Sequence, residues 1–181
     1  MPSNQTDRQK QWFVMRDLKR PNAKLPAYME LQENGLEVYT PLVWRMSTKN
    51  GRKVREQVPV IRDLLFVHDS RDIIESTIEN IPTLQFRYLR GAYLSPMIVR
   101  DDDMERFLCA VKSTDSPKYF TPDELTPEMC GREVRIIDGP MCGANGRLLK
   151  VEGTNRKHVI IELPGLLAVG VKVKSDFIEL Q

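Results

Sequence analysis

The side chains that most often do chemistry are few in this chain, and their spacing does not suit catalysis. His68 and His158 are the only two histidines, and neither stands in a recognisable pairing with a nucleophile or an acid. Cys109, Cys130 and Cys142 are odd in number and form no Cys-x-x-Cys, which argues against a disulfide framework or a zinc site. They read as free thiols of a reducing compartment. Asp101, Asp102 and Asp103 invite a metal-site reading. Consecutive residues on a helix do not share a face, however, so these acids better serve to stabilise the positive end of the helix that follows. No glycine run ends in Lys-Ser or Lys-Thr to cradle a phosphate. The pattern predicts binding without catalysis, and neither a metal nor a cofactor.

Composition limits what could be bound. With 27 basic and 25 acidic residues among 181, the net charge is only +2, so any nucleic-acid contact must come from a local patch. One such patch lies between Trp44 and Pro59, where Arg45, Lys49, Arg52, Lys53 and Arg55 surround Asn50-Gly51. Asn-Gly favours a type I′ turn, so this is read as a basic hairpin. Its charges are either a solvated edge guarded against aggregation or an arm that lies against nucleic-acid phosphates. The first ten residues are polar and read as a disordered lead-in, with no apolar core before Trp12 to make a secretory signal. No apolar run approaches the ~20 residues of a membrane span. A cytoplasmic protein is expected.

The elements that must carry these groups alternate along the chain. Trp12 to Arg16 suits a strand, Ala23 to Asn34 a helix with Asn22 as N-cap and Gly35 as stop, and Leu36 to Tyr39 a second strand. Leu64-Leu65-Phe66-Val67 is a continuous apolar run of central-strand character, with one alternating pair expected in the core and the other free for a partner. Asp69 or Ser70 can cap the next helix, whose Ile73, Ile74, Thr77 and Ile78 recur at helical spacing. Met104, Phe107, Leu108 and Val111 mark a third helix. Residues 113–130 are rich in proline, serine and threonine, and read as a semi-rigid linker at a domain boundary. Beyond it come short strands dense in valine and isoleucine, as a small barrel requires.

The most specific stretch is GREVRIIDGPMCGANGRL, from Gly131 to Leu148. It reads as a strand, a loop in which Gly143 and Gly146 permit positive φ, and a second strand from Arg147 to Val151. Gly131, Val134, Gly139-Pro140, Gly143 and Gly146 together resemble the KOW motif of SH3-like barrels, with Met141 where that pattern usually has phenylalanine. Upstream, Trp12-Phe13-Val14-Met15-Arg16 and Leu65-Phe66-Val67, each before a helix-like segment, resemble the NusG N-terminal (NGN) domain. From Gln11 to the end, the chain resembles the NusG family of transcription elongation and antitermination factors, in details closest to the specialised RfaH-like and UpxY-like antiterminators.

This resemblance implies an α+β chain. Residues 11–112 would form the NGN α/β sandwich with an antiparallel sheet, and residues 131–181 an SH3-like barrel. It implies a factor that binds elongating RNA polymerase and suppresses pausing and termination on long operons such as capsular polysaccharide loci. The alternatives are a general factor of the same fold and a KOW-type RNA- or ribosome-binding protein. Leu64 and Phe66, rimmed by Tyr39, Trp44 and Phe86, would meet the polymerase clamp helices. Glu75, Ser76 and Thr77 match by spacing a polar cluster that touches the opposite cleft wall. Lys49, Arg52, Lys53 and Arg55 would lie near upstream or non-template DNA, and the barrel loops would bind ribosomal protein S10 or the terminator Rho.

Overall fold

The computed structural model describes residues 9–19, 24–149 and 157–181. The fold is mixed α+β, mostly strands, with three α-helices among the described residues. One compact unit ends at Asp101 and a second begins at Asp102.

In the first unit, β1 (Gln11–Asp17) and β5 (Leu64–Asp69) are central in an antiparallel sheet. β2 (Glu37–Tyr39) flanks β5, while β6 (Leu84–Phe86) and β7 (Ile98–Val99) both pair with β1. The register sets Phe13 opposite Val67 and Met15 opposite Leu65, so these four share a face. They form a core with Ala27 and Leu31 of α1 (Ala27–Glu33) and Ile74 of α2 (Arg71–Asn80). The first helix is shorter than its periodicity predicts. Pro26 is its N-cap, and Asp17 accepts a hydrogen bond from the Ala27 backbone N–H at 2.8 Å, taking the capping role expected of Asn22. Asn22 and Ala23 lie outside the described residues.

β3 (Leu42–Lys49) and β4 (Arg52–Pro59) form a two-stranded sheet of their own. Asn50 and Gly51 at its tip have φ of +51° and +75°, both positive as a type I′ turn requires.

The second unit opens with most of α3 (Asp101–Lys112), whose first turn holds the three aspartates. Its six-stranded antiparallel sheet has the order β13 (Ile178–Leu180), β9 (Cys130–Ile136), β10 (Asn145–Leu149), β11 (Lys157–Leu163), β12 (Leu167–Val173), β8 (Lys118–Phe120). The proline-rich stretch is more structured than its composition suggests. β8 within it pairs with β12, a 3-10 turn at Pro122–Glu124 is closed by a Thr121–Glu124 capping box, and Leu125 and Met129 pack around buried Phe120.

Candidate functional site

The face of the first sheet turned away from its helices holds the residues expected to meet a partner. Opposite-strand register sets Arg16 by Leu64, Val14 by Phe66 and Trp12 by His68, with Tyr39 of β2 beside Phe66 at 6.0 Å between ring centroids. Leu64 and Phe66 are 1% and 0% exposed, so both alternating pairs of β5 are buried, not one. Two further residues belong to this face. Val14, opposite Phe66, and Trp12, opposite His68, are also buried, and the alternation within β1 carried that signal. The indole of Trp12 stacks on His68 at 4.8 Å and 18°, and Glu37 Oε2 lies 2.7 Å from His68 Nδ1. Phe86 is not brought to this face. It pairs with Met15, which turns its ring into the core beneath the helices.

At the open end of β1 and β5, Asp63 Oδ2 accepts hydrogen bonds from Arg16 Nε at 3.1 Å and Arg87 Nη2 at 3.2 Å. Partial burial pushes the Asp63 carboxyl up, but the Arg87 charge and the Arg16 hydrogen bond more than offset this, so it titrates below an ordinary aspartate.

Glu75, Ser76 and Thr77 lie mid-helix in α2. Ser76 and Thr77 both donate their hydroxyls to the Ile73 carbonyl, and Glu75 accepts from Arg71 at 2.7 Å. A ligand would have to displace these local partners.

The β3–β4 ribbon sorts the basic residues onto two faces. Cross-strand pairs place Trp44, Met46, Lys53 and Arg55 on one face, and Arg45, Lys49, Arg52 and Glu56 on the other. On the second face Lys49 pairs with Glu56. The hydrogen bond from Lys49 holds the Glu56 carboxyl below its usual range. Trp44 is therefore a ribbon residue, on a sheet separate from Leu64 and Phe66.

In the glycine-rich loop, Gly139 and Gly143 supply the positive φ, at +86° and +89°, while Gly146 does not. Gly146 sits in β10 opposite buried Val134, and its requirement is space: a Cβ there would lie 2.5 Å from the Ile160 carbonyl oxygen and 2.6 Å from Val159 Cγ1. A Cβ on Gly131 would lie 3.1 Å from the Leu148 carbonyl oxygen, a less severe approach. Pro140 at the turn accepts a hydrogen bond from the Cys109 thiol. Lys150 and Val151, expected to continue the second strand, lie outside the described residues.

Among the described residues, no group of three or more His, Cys, Asp or Glu could hold a metal ion, and no helix is long and apolar enough to cross a membrane. No curated protein matches the sequence. A solved structure described as "Domain interaction in Thermotoga maritima NusG" is similar to 95% of this chain and to 97% of its own, at 17% identity and a TM-score of 0.48. The model of the family described as "NusG: Transcription termination factor nusG" matches residues 10–108, which include the sheet, its buried outer face and the basic ribbon. With more than half its length so matched, the chain belongs to the NusG family of transcription factors.

Proposed function

We propose that this chain is a specialised member of its family, of the RfaH and UpxY kind, which binds elongating RNA polymerase and suppresses pausing and termination on a restricted set of long operons such as capsular polysaccharide loci. The observation that carries this reading is the family match over residues 10–108, which spans every surface the proposal uses in the first unit. The clamp-helix surface would be the outer face of β1 and β5, with Leu64 and Phe66 at its centre and Tyr39 at its rim. Because Leu64 and Phe66 are buried in the free chain, contact through them requires that face to be uncovered in the complex. Glu75, Ser76 and Thr77 would address the opposite cleft wall, and the basic ribbon would lie along upstream or non-template DNA. The second unit would recruit ribosomal protein S10 or Rho.

The mechanism needs no bond-making by the factor. A protein that binds the closed clamp better than the open, swivelled one shifts the population toward the closed form by its differential affinity alone. About 1.4 kcal/mol of preference changes that ratio tenfold. Single-round transcription across a pause site and a terminator, with and without the chain, tests the reading. Shorter pauses and more read-through are expected, whereas unchanged pausing or increased termination would overturn it.

A further inference from the structure

Two of the three cysteines are anchored to the same short loop of the second unit. Residues 136–143 form a closed reversal, in which the Gly143 backbone N–H donates to the Ile136 carbonyl at 2.7 Å and the Cys142 N–H to the Gly139 carbonyl at 3.1 Å. Against it lies α3, whose Cys109 thiol donates to the Pro140 carbonyl at 3.2 Å. One helical turn on, the Ser113 hydroxyl is 3.5 Å from Met141 Sδ, so the same side of the helix meets the loop at two points. Cys142 follows Met141, is exposed, and donates its thiol to the Ile137 carbonyl at 3.2 Å. Only Met141 separates it from Pro140, which limits the Cα–Cα distance between Pro140 and Cys142 to about 7.6 Å. Cys130 stands apart, opposite Leu149 in register and packed with the Phe120 cluster.

We propose that Cys109 and Cys142 are a peroxide-sensitive pair that forms a reversible disulfide and so tethers α3 to the glycine-rich loop. The assignment does not depend on what the chain binds. Each thiol is held by a weak S–H bond to a backbone carbonyl, so oxidation gives up little. Cys142 is the more exposed and reacts first. Its thiolate attacks one oxygen of hydrogen peroxide, the O–O bond breaks, and hydroxide leaves and takes up the thiol's proton as water, giving a sulfenic acid. The Cys109 thiol then attacks the Cys142 sulfur. The S–S bond forms, the S–O bond breaks and a second water departs, so two thiols have lost two electrons and two protons to one peroxide. Closing this bond asks Cys142 to turn from the Ile137 carbonyl toward α3 and the loop to adjust. Gly139 and Gly143, at φ +86° and +89°, flank the turn and give that freedom, and a Cβ on Gly143 would meet nothing within 4 Å. A disulfide made by such an adjustment is of the labile kind that a small dithiol returns to thiols, which suits sensing in a reducing compartment.

The full chain is treated with hydrogen peroxide, blocked with iodoacetamide and mapped by mass spectrometry without reduction. A peptide linking Cys109 to Cys142 should appear, lighter than its two parts by two hydrogens, and the alkylated thiols should fall from three to one, at Cys130. Its yield should not change with protein concentration, and dithiothreitol should restore every thiol. The same treatment in urea should give mixed pairings, because the loop no longer selects partners. Cys109→Ser, whose hydroxyl can keep the hydrogen bond to Pro140, should abolish the linked peptide and leave a Cys142 sulfenic acid that dimedone traps. Cys130→Ala should leave the linked peptide unchanged. A bridge to Cys130, mixed pairings in the folded chain, linkage only between chains, a product that dithiothreitol does not reverse, or oxidation of Cys142 with Cys109 left free would each overturn the assignment. The mapping of the unsubstituted chain decides the matter even where a variant fails to fold.

Discussion

The two tryptophans of this chain sit in strands of similar length and meet opposite fates. Trp12, in β1, has a strand on each side and is 6% exposed, whereas Trp44, in β3, has a single neighbour and is 51% exposed. Residue type does not separate them. What differs is the number of strands and layers around each backbone, so an apolar side chain in a central strand is core and the same kind of side chain on an isolated ribbon remains available to a partner.

Mutation can break or sharpen this contrast. Phe66→Ala should be the most damaging change, costing about 3–5 kcal/mol in urea denaturation, because the ring is wholly buried in a central strand. A cost near zero would mean that the outer face of β5 is not packed. Gly146→Ala should cost about 1–3 kcal/mol, since its Cβ would be forced against the Ile160 carbonyl and neither strand can easily yield. Asn50→Ala, at φ +51° in the ribbon's turn, should cost about 1 kcal/mol and loosen the ribbon without touching the core.

The Asp63 cluster marks where solvent reaches the central strand pair. Its folded carboxyl titrates below the unfolded value of about 3.9, so its stabilisation is complete above that pH and is lost as pH falls through the folded value. Asp63→Asn should make the decline of stability on acidification shallower, as measured by denaturation at stepped pH. Trp44→Ala should have the smallest effect of all, under about 1 kcal/mol, since only an exposed cation–π contact is lost.

The same contrast explains what could be read from the sequence. The Asn-Gly turn, the central run at Leu64–Val67 and the helix beginning at Asp101 were legible, because each is a local signal of turn chemistry, periodicity or helix-end charge. Side-chain direction across strands was not. Phe86 belongs to the core because it pairs with Met15, and Leu64 and Phe66 are both covered, and neither fact is local. Gly146 illustrates the same limit. Its spacing suggested a turn, yet its role is close approach to β11, which appears only once Val159 and Ile160 are in place. The proline-rich stretch was legible as a break in composition, but the pairing of β8 with β12 depends on residues far along the chain.

Direct binding to purified core RNA polymerase is the most incisive measurement, made with intact enzyme and with enzyme lacking the clamp helices. The account predicts retention of the chain by the intact enzyme, loss of that retention when the clamp helices are removed, and loss again when Tyr39 is replaced by alanine. Equal retention with and without the clamp helices, or none by either enzyme, would contradict it.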